Sequence, residues 1–221
     1  MNIRSLSLLA AAALALALTA CSPKTTPTTS AIPSQTQTGS NQAAGGATDA
    51  GSQTATAQTA TPTDPTSRML MGAGFDVPRQ EVASTDFTLS DLAGHQVSLS
   101  SYKGKLVILS FWATWCGPCK QEIPSVEALY QKLSSKGFTV VAVDVMEKAE
   151  DVASFVKSNK MTFPVLLDTD GKVATQYDAS GIPTNYVVSR DGKLLARVVG
   201  YDGKEWTSPE KVNLFEKLLK L

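Results

Sequence analysis

The chain has 221 residues, with 20 Lys and Arg against 20 Asp and Glu, one His and three Cys, a length that fits one ordinary domain with extensions. Zero formal net charge lacks the clustered basic excess that nucleic acid demands, so no nucleic-acid partner is expected. Three cysteines are too few for a disulfide-stapled miniprotein, and one His beside them cannot complete the usual four-ligand zinc sites, so no metal is expected; no cofactor is expected either.

Residues 1–20 have the pattern of a signal peptide: Arg4 supplies positive charge, and Leu6 to Leu18 is almost unbroken Leu and Ala, with Ser7 the one polar residue. The run is too short to span a bilayer comfortably. It ends in Leu18-Thr19-Ala20-Cys21, which resembles the lipobox of bacterial lipoproteins. The resemblance implies cleavage before Cys21 and a diacylglycerol on its sulfur, making Cys21 an anchor and not a redox thiol. A cleaved secretory signal with an incidental Cys, or an uncleaved anchor, are the alternatives. Two or more acyl chains hold a protein on a membrane where a single chain fails. Ser22 after the Cys leans toward the outer membrane of a two-membrane cell.

From Ser22 to Ser67, 42 of 46 residues are Ser, Thr, Ala, Gln, Gly, Pro or Asn, and none is aromatic. Such a segment cannot bury enough apolar surface to offset its ordering entropy, so residues 21–67 are expected to be a disordered tether behind the lipidated Cys. As a flexible coil it spans about 35 to 40 Å, with an extended limit of roughly 150 Å. Residues 68–221 then form one domain, neutral in itself with 18 basic and 18 acidic residues.

Within that domain, Phe87-Thr88-Leu89 and Val97-Ser98-Leu99 predict a β-hairpin around Gly94, with His95 in its loop. Leu106 to Trp112 (LVILSFW) has the continuous apolar pattern of a strand buried on both faces. A helix follows, with Ile123, Val126, Leu129, Tyr130 and Leu133 at spacings of three and four and Gly137 closing it. Phe138 to Val145 predicts a second buried strand, Val152, Phe155 and Val156 a further helix, and Phe163 to Leu167 a third strand. A short helical piece around Val173 to Tyr177 precedes a hairpin of Asn185 to Val188 and Leu194 to Val199 about Asp191-Gly192. Ser208 as N-cap and Pro209 at the first position start a last helix, with Val212, Phe215, Leu218 and Leu219 as its apolar stripe. This order implies a mixed central sheet, parallel at first and antiparallel at its finish, flanked by helices in an α/β fold.

The decisive feature is Trp112-Ala113-Thr114-Trp115-Cys116-Gly117-Pro118-Cys119-Lys120, a Cys-x-x-Cys that joins a buried strand to a helix. Cys116 falls at the helix N-terminus, where free N–H groups and the macrodipole stabilise a thiolate. Cys119, one turn along, is close enough to close a disulfide and to release a mixed disulfide made at Cys116. Half a zinc site lacks its second ligand pair, and a structural bridge over two residues would constrain little chain. Trp112 is expected packed and Trp115 partly exposed beside Cys116.

WCGPC is similar to the signature of the thioredoxin superfamily. Cys119-Lys120-Gln121-Glu122-Ile123-Pro124 resembles the CxxExP continuation of the TlpA/ResA branch of membrane-anchored thiol-disulfide oxidoreductases. The preceding hairpin and the helix and strand from about Lys148 to Asp168 resemble that branch's N-terminal hairpin and central insertion in a thioredoxin-like fold. The resemblance covers about Thr85 to Leu221. Gly181-Ile182-Pro183-Thr184 resembles the superfamily's cis-proline loop, which implies that Ile182, Pro183 and the rim residue Trp115 meet a substrate chain, Ile182 by strand-like backbone pairing. Thioredoxin carries a buried Asp in the strand before the motif, where this chain has Ser110, which leaves Glu122 as the group implied to move a proton for Cys119. A solvated helix charge is the other reading of Glu122.

The resemblance implies a thiol:disulfide oxidoreductase facing the extracytoplasmic side of a bacterial membrane, periplasmic in a two-membrane cell, that reduces disulfides in exported proteins, apocytochrome c among them. Its Gly-Pro pair matches thioredoxin, whose potential near about −270 mV is strongly reducing. An exported reductase needs electrons, and the resemblance implies a membrane donor of the CcdA or DsbD type. A disulfide oxidase or isomerase, a thiol peroxidase, and a non-catalytic thioredoxin-like binding module remain the alternatives.

Overall fold

The computed structural model describes residues 64–221; the signal peptide, Cys21 and nearly all of the 21–67 tether lie outside the described residues. Helix α1 (Pro65–Gly72) already begins inside the segment expected to be tether, because Asp64 caps it: Ser67 N donates to Asp64 Oδ1 at 3.0 Å and Pro65 takes the first position. Ser67 and Leu70 are buried beneath it. Residues that resemble linker by composition are thus a capped helix start, and the described helix α1 begins ahead of residue 68.

The strands are β1 (Val82–Ala83), β2 (Thr88–Asp91), β3 (Gln96–Ser98), β4 (Leu106–Trp112), β5 (Phe138–Val145), β6 (Val165–Asp168), β7 (Thr184–Val188) and β8 (Lys193–Val199). They form one sheet in the order β1-β8-β7-β4-β5-β6-β2-β3. β4 pairs parallel with β5, and β5 with β6; β7, β8 and the β2–β3 hairpin add antiparallel. This is the mixed sheet that the order of elements implies, with β1 as a two-residue addition that its exposed Val-Ala gives no signal for. The strand expected from Phe163 starts two residues later, since Pro164 has no amide to give; its carbonyl still accepts from Ala142 N at 2.9 Å.

All seven residues of β4 are buried, and their alternation divides the core in two. Leu106, Ile108 and Trp112 pack toward α2 (Gly117–Leu133), α3 (Ala149–Ser158), α5 (Pro209–Leu218) and α1. Val107, Leu109 and Phe111 face α4 (Lys172–Gln176) and the Leu99–Tyr102 turn. α2 ends at Leu133 and passes through a short 3-10 turn to Gly137, whose φ of 90° explains the glycine there. Among the described residues no helix is long and apolar enough to cross a membrane.

Leu129 on α2 is fully buried against the sheet, so Leu129→Ala is expected to cost about 2–5 kcal/mol in urea unfolding. A loss under about 1 kcal/mol would show that α2 is not fixed by this packing.

Candidate active site

β4 ends at Trp112, and three residues carry the chain to Cys116, the N-cap of α2. Cys116 and Cys119 are joined as a disulfide with Cα atoms 5.3 Å apart. Cys119 N donates to Cys116 Sγ at 3.2 Å, so the free amides of the first helical turn face the sulfur, where they favour a thiolate once the bond is opened. Cys116 keeps 5% of its surface and Cys119 none, which makes Cys116 the sulfur an incoming group meets.

The loop ahead of β7 closes the site from the other side. Ile182–Pro183 is a cis peptide bond, as the likeness to the cis-proline loop implies. The Ile182 carbonyl oxygen lies 3.6 Å from Cys116 Sγ, placed to accept from a thiol there. Pro183 O accepts from Gly200 N at 2.7 Å, tying this loop to the end of β8. Trp115 stands 68% exposed at the rim, while Trp112 is packed against Phe155 with ring centroids 5.4 Å apart. Both tryptophans therefore sit as expected, and exposed His95 bonds its own turn through Asp91 at 3.1 Å.

Glu122 is on the buried face of α2, only 2% exposed, so the solvated-charge reading fails. Asn185 Nδ2 donates to both carboxylate oxygens at 3.3 Å, and Trp206 Nε1 donates to Oε2 at 3.3 Å. These bonds are long and do not match the lost hydration, so burial dominates and pushes the carboxyl up to about 7. Lys211 pulls weakly the other way; its ammonium lies 4.7 Å from the Trp206 ring centroid and donates to Lys204 O at 3.2 Å. Burial in turn pushes the Lys211 ammonium down. Ser110 faces the same small cavity as Glu122.

Sequence reasoning missed three partners of the site. Asn185 was visible as a polar amide in a buried strand, beside Thr184, and Trp206 as a lone aromatic in a polar run. Glu147 gave no signal, yet Thr114 N donates to its Oε2 at 2.5 Å and Thr114 Oγ1 to its Oε1 at 2.6 Å. Cys116, Cys119, Glu122, Ile182, Pro183 and Trp115 converge on the head of α2; Cys21 lies outside the described residues. A groove of about 680 Å³ lined by Asp64, Leu106, Arg190 and Leu218 is at the other end of β4, remote from the disulfide. Among the described residues no three His, Cys, Asp or Glu side chains gather as a metal-ligand set.

The model of the AhpC/TSA family matches residues 81–197, more than half of the chain. The chain belongs to that family. Thiol-disulfide oxidoreductase ResA of Bacillus subtilis is 44% identical over 115 residues, covering 52% of this chain and 64% of its own. ResA of Bacillus cereus is 38% identical over 120 residues, covering 54% and 69%. A crystal structure from Chlorobium tepidum, assigned as thiol:disulfide interchange protein DsbE, matches with a TM-score of 0.55 at 33% identity over 64% of this chain and 95% of that one. The chain is thus a TlpA/ResA-like thiol-disulfide oxidoreductase on a thioredoxin-like fold.

Glu122 titrates at about 7 in the fold against an ordinary 4.5, so between those values the folded chain holds a proton that the unfolded chain has released. Stability therefore falls as pH rises through this window, by about 3 kcal/mol once the carboxyl is ionised. Urea unfolding of the oxidised chain at about pH 5 and about pH 8 is expected to show a smaller loss for Glu122→Gln than for the natural chain. Equal losses would mean that Glu122 is not the buried acid responsible.

Proposed function

We propose that the chain reduces disulfides in exported proteins through a Cys116–Cys119 dithiol. The observation that carries this reading is the joined pair at the head of α2, with Cys116 outermost, the Ile182 carbonyl 3.6 Å away and Glu122 buried one turn behind. In the reduced chain the Cys116 thiolate attacks a substrate disulfide; one substrate sulfur leaves as a thiolate and takes a proton, and a mixed disulfide forms. Glu122 takes the proton of Cys119, whose sulfur then attacks Cys116, forming the disulfide seen here and releasing the second substrate thiol. A carboxyl at about 7 can accept and return that proton near neutral pH. Ile182, Pro183 and Trp115 meet the substrate chain beside its cysteines.

The N-terminal sequence supports an extracytoplasmic place, with Cys21 lipidated and residues behind it as a tether. A reductase there draws electrons from a membrane donor of the CcdA or DsbD type, and an apocytochrome c is one substrate of fitting chemistry. Labelled fatty acid is expected to enter the natural chain and not Cys21→Ala; equal labelling would remove the anchor.

The reduction potential of the Cys116/Cys119 couple, equilibrated against thiol/disulfide buffers, tests the direction of transfer. A value near or below about −250 mV is expected, together with mixed disulfides trapped by Cys119→Ser and not by Cys116→Ser. A value of about −120 to −180 mV would instead indicate disulfide formation or isomerisation. Turnover of hydrogen peroxide would favour a peroxidase.

A further inference from the structure

Asp144, near the C-terminal end of β5, takes no part in the dithiol exchange, although the chemistry lies beside it. It is 1% exposed, no well-formed hydrogen bond reaches either carboxyl oxygen, and its polar neighbour is Glu147, whose carboxyl and backbone amide both act on it. In the β4–β5 register it stands opposite Trp112, and it shares the parity of Ala142, so it points into the α2 and α3 layer. The strand ends one residue later, and the chain turns at Met146 with φ 64°, which brings Glu147 back toward the same loop. Both Glu147 oxygens already accept from Thr114, two residues ahead of Cys116. That arrangement suits a carboxylate. A second ionised carboxyl beside it, buried and without a well-formed hydrogen bond, would be a poorly compensated charge next to a like charge.

We propose that Asp144 and Glu147 form a positioning pair that shares one proton: Asp144 keeps the proton and donates it to Glu147, and the Glu147 carboxylate fixes Thr114 and so the path of Trp115 and Cys116 onto the head of α2. Burial and the adjacent Glu147 both push Asp144 up, to about 8, so it is largely neutral at pH 7. Among the described residues Glu147 is the one ionisable group that acts on it. On β6, Asp168 is turned toward α4, where it accepts from Val173 N at 3.2 Å and Ala174 N at 2.7 Å. Lys148, Glu150 and Asp151 at the start of α3, and Lys120 on α2, are exposed. The neighbours on β4 and β6 that pair with Asp144 are Trp112 and Leu167, both without charge.

The effect on Cys116 rests on the dithiol reading, whereas the protonation of Asp144 does not, and the two are read separately in the full chain. In the infrared, a protonated-carboxyl stretch at neutral pH is expected that shifts with carbon-13-labelled aspartate, is lost in Asp144→Asn and survives in Glu122→Gln. Absence of that band overturns the pair whatever the redox activity. The second readout is the pH dependence of Cys116 alkylation by iodoacetamide in the reduced chain. Asp144→Asn, neutral and still a donor, is expected to keep the natural midpoint. Glu147→Gln removes the charge and is expected to lower the midpoint, so that alkylation well below it quickens about threefold. A midpoint moved equally by both variants would mean that Asp144 is ionised, and one unmoved in Glu147→Gln would mean that Glu147 does not reach Cys116. Either result overturns the proposal. The labelled-aspartate band needs no substitution, so it decides the matter if a variant fails to fold.

Discussion

A carboxyl almost out of reach of water governs how the pieces meet. Glu122 comes from α2, Asn185 from β7 and Trp206 from the segment between β8 and α5, and the three are joined by hydrogen bonds in a mostly apolar layer. Ser125 extends the knot, since its hydroxyl donates to the Glu122 carbonyl at 2.9 Å and accepts from Trp206 N at 3.2 Å. A buried polar group that strays from its partners loses them without gaining water, so such a knot fixes register more firmly than apolar contact does. α2 is thereby held against rolling over the sheet, and both cysteines ride on its first turn.

The strand order places β7 and β5 on either side of β4; β7 presents Asn185 to the buried Glu122 of α2, and β5 carries the second buried acid, Asp144. The β7 side supplies donors to Glu122, which can then exist in either protonation state near neutral pH. On the β5 side Asp144 has Glu147 for its neighbour, whose charge adds to burial in pushing the carboxyl up to about 8. Burial is the largest cause of both shifts, and the partners differ: donors around Glu122, a like charge beside Asp144.

The central strands, the helices that follow the CGPC motif and the terminal hairpin were legible because apolar runs and turn residues carry local information. The convergence of Cys116, Cys119 and Pro183 was legible from the likeness to a known fold, since residues 116 and 183 are joined by no local pattern. Hidden from sequence were contacts set by register: Asn185 meets Glu122 because Ser110 and Asn185 are neighbours across β4 and β7, facing the same layer. Thr114 meets Glu147 because two strand ends lie side by side. Helix α1 was hidden for a different reason, in that Pro, Thr and Ser serve equally in linkers and in helix caps.

The start of the fold has a mechanical consequence. Asp64 lines the groove that also holds Leu106, the first residue of β4, whereas the disulfide caps the last. Seven strand residues, roughly 20 Å, separate the two ends. Any pull exerted through residues ahead of Asp64 thus reaches the far pole of the sheet. The face carrying Cys116 lies at the opposite end of β4 from the point where the described chain enters the fold.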